Sequence, residues 1–350
     1  MSDPDSPGAG EFKPRGSAIL TTGILLALTG LMLCGTGLLP LVQTFALGQL
    51  AKSDPKAMGE LAGMQDMMWS ASLINLIFYG GCGILFLVVA YGCFTSRRWS
   101  RPFVLTLCWG WLYTGVVMLL SLAVTAPSLK GMMSQSMDKA LERSGGAATA
   151  PAMDGIFVVI MVIYFITIAL FLIALPALIL WLQWHRDVRL TLESRDPVAR
   201  WTDRQTTPLI GMTITAGLLA IMTVPGPFMM RVPWMAPFLP PGILKFLWCL
   251  LPIVWAAVAW GSYRRNLSAW FLSFLFLVVG TATGVSSMNG IDWAELYRSM
   301  GMPESEIETL ATMMEGMFSP VKMGLLMSAS MLPLLGFLIW VFKFFRRAEA

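Results

Sequence analysis

A chain of 350 residues with this composition is not a soluble globular protein. Hydrophobic residues make up 56% of it and charged residues only 13%, with a net charge of +4, whereas about a quarter of an ordinary soluble domain is charged. The composition therefore predicts an integral membrane protein that is embedded in a lipid bilayer, and so small a net charge gives no sign of nucleic-acid binding.

Eight uncharged runs follow one another along the chain. A membrane-spanning helix needs about 20 apolar residues, and none of these runs contains Asp, Glu, Lys or Arg. The sixth run is the shortest, and Lys245 just before it can extend the span by reaching toward the interface. The eight predicted spans are Ala18–Val42, Met67–Phe94, Pro102–Ala126, Gly155–Trp184, Pro208–Met230, Phe246–Tyr263, Leu267–Ser287 and Met323–Phe342.

The polar tail of residues 1–17 precedes the first run and bears on the orientation of the chain. This run is longer than the 7–15 residues of a signal peptide, and the tail contains acids, so we expect a retained span. Lys and Arg are denser in the connections on the side of the N-terminus, which predicts cytoplasmic N- and C-termini. The excess of Arg over Lys, and the lack of glycosylation triplets in the outside loops, fit a bacterial inner (plasma) membrane.

Features of the first four spans recur in the last four. Span two ends in AYGCFTSRR from Ala90, and span six ends in AWGSYRR from Ala259. Spans four and eight each contain a Leu-Pro pair deep in the helix, at Pro176 and Pro333, and then a basic exit. Because four is an even number, two such halves would insert in the same direction, as parallel repeats. We therefore predict two tandem parallel four-helix halves, 18–186 and 208–347, joined by a cytoplasmic linker, 187–207.

The longer loops also have predicted structure. The outside segment GMPESEIETLATMMEGMF, from Gly301, and the outside segment 128–146 both carry apolar residues at helical spacing. Both predict amphipathic helices lying on the outside face of the membrane. The linker contains five Arg and four acids between His185 and Gln205, and this near balance of charge predicts a solvated connector with an interfacial Trp201.

The chain lacks the residue groups on which most catalytic and cofactor sites are built. It has a single histidine, His185, and its five cysteines all lie within predicted spans without a CxxC pair. No carboxylate lies inside a span, and no phosphate-binding glycine motif occurs. We therefore expect a protein that is not an enzyme and that carries no cofactor.

Methionine is abundant, with 26 residues, and three short stretches of the predicted outside face concentrate it. Thioethers are soft ligands that favour Cu(I) and Ag(I), but methionine is also an adaptable packing residue. Packing or partner contact is the favoured interpretation, and soft-metal handling is a minor alternative. The candidates are Met64, Met67 and Met68, then Met132, Met133 and Met137, then Met313, Met314 and Met317.

A second set of candidates consists of polar side chains inside the spans. Hydroxyls and amides at this depth usually hydrogen-bond between helices, which is the favoured interpretation, but they could also line a path for a neutral or weakly polar substrate between the two halves. The candidates are Ser72, Asn75, Tyr79, Tyr113, Thr281 and Thr283.

Two classes of function remain. The first is a non-catalytic interaction or scaffold protein, whose extracytoplasmic amphipathic helices contact lipid, another membrane or periplasmic protein, or a second copy of the chain. The alternative is a transporter or channel that uses the interface between the two halves. The proposed duplication favours the alternative, and the lack of intramembrane charge disfavours it.

Overall fold

The computed structural model of the protein describes residues 13–53, 68–69, 71–144, 150–224, 241–288, 292–299, 304–317 and 319–346. Within these ranges the chain is helical and has no β-strand. The α-helices are α1 (Gly16–Ser53), α2 (Gly81–Phe94), α3 (Ser100–Ser144), α4 (Ala150–Ile168), α5 (Leu175–Trp184), α6 (Arg186–Arg195), α7 (Thr207–Thr223), α8 (Pro241–Tyr263), α9 (Leu267–Met288), α10 (Trp293–Ser299), α11 (Glu304–Met317) and α12 (Pro320–Arg346). A π-helical segment, Leu76–Gly80, leads into α2, and a second one, Ala169–Ala174, joins α4 to α5.

Seven helical segments of the described chain are long and apolar enough to cross a membrane. They confirm the prediction of an all-α chain with several membrane-length helices. The fifth predicted span corresponds to α7, which has 17 residues and is shorter than the other seven, and residues 225–230 of that predicted span lie outside the described residues. The seven segments are Gly16–Gln49, Ala71–Phe94, Ser100–Ser128, Val158–Trp184, Phe246–Tyr263, Leu267–Ser286 and Val321–Phe345.

The outer surface of these segments is apolar, as expected of helices in contact with lipid. In the segment Val158–Trp184, only 6% of the most apolar window is buried, and side chains such as Val159 and Ile163 are more than half exposed. A contiguous apolar surface of this extent would be unfavourable in water. In a bilayer the same surface contacts the lipid acyl chains, which agrees with a multi-pass membrane protein.

These seven helical segments and the shorter α7 form two groups of four with the same neighbours. In the first group α1 packs against α2, α2 against α3, α3 against the continuous rod of α4 and α5, and α5 against α1. In the second group α7, α8, α9 and α12 make the corresponding four contacts in the same order. The two groups meet along α3, which contacts both α7 and α12. The predicted division into two halves is compatible with this arrangement.

The turns between α2 and α3 and between α8 and α9 have the same backbone conformation. Ser96 and Arg265 adopt left-handed φ values of 52° and 58°. In each turn the amide one residue further on donates a 2.8 Å hydrogen bond to the carbonyl oxygen of a glycine, Gly92 or Gly261. This is the Schellman ending of a helix, in which glycine is the usual left-handed residue. Here the position is taken by Ser and Arg, so the sequence contains no glycine cue for it.

Glycines allow α1 and α2 to approach each other closely. A Cβ atom added at Gly83 would lie 2.7 Å from the carbonyl oxygen of Gly30 and 2.5 Å from the sulfur of Cys34. At Gly81, two residues away, an added Cβ would meet nothing within 4 Å. Gly83 therefore belongs to a packing contact between α1 and α2, and this contact is possible only because glycine has no side chain.

The segment 128–146 differs from the prediction. Instead of a separate helix on the membrane surface, residues up to Ser144 continue α3, whose 45 residues extend about 67 Å at the usual rise per residue. Since a hydrocarbon core is about 30 Å thick, α3 projects well beyond it. The predicted helix is present as far as Ser144, but it is the continuation of α3 past Pro127 and not a separate element.

The amphipathic helix predicted in the last outside loop is confirmed as α11. Ile307 and Ala311, one turn apart, are 2% and 7% exposed. The helix packs against α10 and against α3. The apolar face of α11 is therefore partly covered by its own chain.

Candidate functional site

The linker between the two groups is packed against the bundle and is not a solvated connector, so this prediction is wrong. The chain breaks at His185, whose ψ of 138° is extended, and then forms α6. Val188 and Leu192, one turn apart on α6, are 0% and 2% exposed. The prediction rested on the balance of charge along the linker and overlooked these two apolar positions, which pack α6 against the ends of the spans.

A buried carboxylate, that of Asp196, lies at the centre of the linker. It is 4% exposed and accepts hydrogen bonds from the Arg98 backbone amide and from Nε of Arg200, both at 3.2 Å. A nitrogen of Arg97 lies 4.0 Å away. Burial alone would raise the pKa of this carboxyl group, but the hydrogen bonds and the positive charges of Arg200 and Arg97 lower it below its usual value. Asp196 therefore joins the linker to the turn that precedes α3.

A chain of aromatic rings connects the two groups of spans at this end. The ring of Trp99 contacts Phe103 at 5.6 Å between centroids, Phe103 contacts Trp201 at 6.3 Å, and Trp201 contacts Tyr263 at 5.7 Å, all edge to face. Gln205 also donates a hydrogen bond of 2.6 Å to the carbonyl oxygen of Tyr263. Since Phe103 lies on α3 and Tyr263 ends α8, the linker ties one group of spans to the other.

Beside these contacts lies a cavity of about 520 Å³, which we call the arginine cavity. Its walls are the start of α3, one face of α6, the linker and the first turn of α7. Arg98, Arg101 and Arg189 contribute three positive charges, and Glu193 and Asp203 contribute two negative ones. The cavity therefore has a small excess of positive charge at the edge of two spans.

Two polar groups of the arginine cavity lack partners, and a third has only a weak one. Nε of Arg98 and the hydroxyl of Thr202 are buried, and neither has a hydrogen-bond partner among the residues that the structure describes. The guanidinium group of Arg101 donates to the carbonyl oxygen of Gln183 over the long distances of 3.3 and 3.4 Å. Buried donors without partners are rare and costly in proteins, which singles out this site among the described residues.

A second cavity, of about 500 Å³, adjoins the first, and we call it the aromatic cavity. Ala199 lines both of them. The walls of the aromatic cavity include Trp99, Phe103 and Trp201, and Arg200. A charged cavity and an aromatic cavity thus share one wall at the same end of the bundle.

Two of the polar side chains predicted in the spans form hydrogen bonds between helices. The hydroxyl of Ser72 lies 2.8 Å from that of Thr44 on α1. The hydroxyl of Tyr113 on α3 donates a 2.8 Å bond to the carbonyl oxygen of Ser330 on α12. The second bond joins the two groups of spans, because α3 belongs to the first group and α12 to the second.

The other predicted polar side chains are not brought together. Asn75, Thr281 and Thr283 each donate to a carbonyl oxygen four residues earlier in their own helix, and the ring of Tyr79 contacts that of Phe78. None of the six candidates lines the arginine cavity or the aromatic cavity. A substrate path along them stays a prediction.

The methionine candidates are largely outside the part of the chain whose side chains are described. Met68 and Met314 are both half-buried. The backbone of Met132, Met133 and Met137 lies on the outer part of α3, that of Met313 and Met317 lies on α11, and Met64 and Met67 lie outside the described residues. Among the described residues, no group of three or more His, Cys, Asp or Glu side chains could hold a metal ion. Soft-metal binding by the methionines is not tested by this observation.

The arginine cavity was not predicted from the sequence, although its arginines were noted as orientation signals. Arg98 and Arg101 are three residues apart beside a span, and Arg189 lies about 90 residues later, so no local spacing joins them. No protein-family model matches the chain, and no similar protein was found among curated sequences or solved structures. The functional argument therefore rests on the geometry of the site.

Proposed function

We propose that the chain is a non-catalytic multi-pass membrane protein with an interaction or scaffold role, located in a bacterial inner membrane with both termini in the cytoplasm. Its contact surface is extracytoplasmic and consists of α10, α11 and the outer end of α3. The partner is another membrane or periplasmic protein, or a second copy of the chain. The observation that supports this proposal best is that the two groups of spans are tied together at three heights of the bundle.

The first tie is the aromatic chain through Trp201 at the arginine-rich end. The second is the bond from Tyr113 to Ser330, near the middle of the span Ser100–Ser128. The third is the packing of α11 against α3 at the opposite end. A transporter with alternating access rocks one half against the other around a central site. Ties at both ends and in the middle oppose such rocking and favour a rigid support.

The rigid support presents a polar surface on its outer side. Nε of Arg298 on α10 donates to Glu304 on α11 at 2.8 Å, and the two short helices pack against each other. While Ile307 and Ala311 face inward, side chains such as Glu308 on the opposite face of α11 are exposed. The exposed face of α11 is therefore available to a partner, and its orientation is fixed by the packing beneath it.

Site-specific photo-crosslinking in intact membranes tests this proposal. A photoreactive residue is placed at Glu308, Thr312 or Glu315, which are exposed, or at Ile307 or Ala311, which are buried. We expect a discrete crosslinked product of defined mass from the three exposed positions and none from the two buried positions. Labelling of lipid alone from all three exposed positions would refute the proposal.

A transporter or channel for a neutral or weakly polar substrate is the second candidate function, and one observation favours it. Both the bond from Tyr113 to Ser330 and the arginine cavity lie where α3 meets the second group of spans, which is where such a path would run. Spin-label distance measurements separate the two functions, in a variant with the five cysteines replaced by alanine. One pair of labels at Leu120 and Val321 reports on the outer ends, and a pair at Trp184 and Lys343 reports on the inner ends.

A rigid support predicts one narrow distance distribution for each pair of labels. A transporter predicts two distributions that change in opposite directions at the two ends. Opposite changes of this kind, together with solute flux in liposomes, would replace the interaction role with transport.

A further inference from the structure

The arginine cavity has the electrostatic character of an anion site. Three guanidinium groups face two carboxylates, and the closest contacts of Arg98 with Glu193 and Asp203 are 3.7 and 3.9 Å. These distances are longer than those of a direct charge-assisted hydrogen bond. Arg101 has no carboxylate within salt-bridge distance among the described residues. Nε of Arg189 donates directly to Glu193 at 2.8 Å, so it is the guanidinium groups of Arg98 and Arg101 that keep donors for an incoming anion.

The types of donor in the cavity also suit phosphate. Arginine binds phosphate oxygens through its planar fork of N–H groups, and a threonine hydroxyl can donate a further hydrogen bond. Nε of Arg98 and the hydroxyl of Thr202 are the two buried groups of the cavity without a partner in the described chain. Neither atom has accessible surface of its own, so each side chain must turn toward the cavity before an anion can accept from it. The bonds then formed satisfy donors that otherwise have no partner.

The position of the cavity distinguishes a lipid from a soluble anion. It is lined by the first turn of α3, where a membrane-length segment begins, and by the first turn of the shorter α7. Trp99 and Trp201 lie beside it, as tryptophans do at the membrane interface. Phosphate groups of lipids lie at this depth. The adjoining aromatic cavity offers an apolar surface, which inorganic phosphate would not use but which the glycerol and upper acyl chain of a lipid would contact.

We propose that the arginine cavity binds the phosphate of an anionic phospholipid and that the aromatic cavity receives the glycerol and upper acyl chain of the same molecule. Arg98, Arg101 and Thr202 hold the phosphate oxygens, and Arg189 at the mouth adds positive charge. Because the cavity lies between α3, the linker and α7, the lipid fastens the two groups of spans to each other at the interface.

Native mass spectrometry of the full chain in detergent tests the proposal. The probes are phosphatidylglycerol and phosphatidylcholine with identical acyl chains, and soluble glycerol 3-phosphate as a competitor. One variant combines Arg101→Gln with Arg189→Gln. Its matched control combines Arg186→Gln with Arg264→Gln, two exposed arginines at the same end that line neither cavity. A second, uncharged variant is Thr202→Val, and thermal unfolding of each protein verifies that it is folded.

We expect one phosphatidylglycerol molecule to be retained by the wild type and by the control, in preference to phosphatidylcholine. The Arg101/Arg189 variant should bind it about tenfold more weakly, and Thr202→Val about threefold more weakly. Equal retention by all four proteins, or an equal loss in the control, would overturn the site. Competition by glycerol 3-phosphate as strong as that by the lipid would overturn the assignment to a phospholipid. If the arginine variant does not fold, full retention by Thr202→Val overturns the proposal.

Discussion

Asp196 offers the sharpest test of how the linker is held. Replacing it by asparagine removes the negative charge but keeps one oxygen that can accept from the Arg98 amide. Replacing it by leucine removes the charge and both acceptors, so that the amide is left buried without a partner. Glu308→Gln, which removes one negative charge from an exposed position, is the control for net charge alone.

The size of the effect follows from the contacts of the carboxylate. A hydrogen bond to a charged group contributes about 1.5–3 kcal/mol when it is shielded. The side chains of Arg200 and Arg97 are 33% and 48% exposed. Water can therefore solvate their guanidinium groups when the carboxylate is removed, which reduces the loss of stability. We therefore expect Asp196→Asn to lower the free energy of unfolding by about 1–2 kcal/mol, and Asp196→Leu to lower it by about 2–4 kcal/mol.

The pH dependence gives a second, independent check. Since the pKa of Asp196 is lower in the folded protein than in the unfolded chain, its stabilisation is complete above the unfolded value of about 3.9 and is lost as the pH falls through the folded value. Thermal unfolding in detergent should show a difference of about 2–4 °C between wild type and Asp196→Asn at pH 7. This difference should shrink below about pH 4.

A difference that stays constant down to pH 3 would refute the electrostatic explanation. A wild type and an Asp196→Leu variant that unfold at the same temperature at pH 7 would refute the structural role altogether. Glu308→Gln should unfold like the wild type at pH 7, because its side chain is exposed.

Three further substitutions are checked by thermal unfolding in the same detergent. Gly83→Ala should destabilise the protein by about 1–3 kcal/mol, because the new methyl group collides with α1, whereas Gly81→Ala, two residues away in open space, should not. Tyr113→Phe should cost about 1 kcal/mol through the lost bond to α12, and Tyr91→Phe, on the exposed surface, should cost nothing measurable; equal effects of the two would contradict the tie. Trp201→Leu should cost about 1–3 kcal/mol by breaking two edge-to-face contacts, and an unchanged melting temperature would argue against the aromatic chain.

The sequence predicted the membrane class and the positions of the long apolar helices well. It also predicted α11 and, for Ser72 and Tyr113, side chains that hydrogen-bond between helices. It did not predict that α3 continues for 45 residues, because the polar residues after Pro127 resemble a surface helix equally well. The packed linker was missed for a similar reason: only two of its positions, Val188 and Leu192, carry the apolar contact, and charge dominates the composition.

What the sequence determined by itself is the membrane character of the chain, because hydropathy and helical hydrogen bonding are local properties that need no neighbour. Only the tertiary structure decided which helices meet and which polar groups share a cavity. Tyr113 and Ser330 are 217 residues apart in the chain, and Arg98 meets Asp196 across 98 residues. Contacts of this kind depend on how the helices pack side by side. Whether a buried donor has a partner can be known only when the positions of all its neighbours are known.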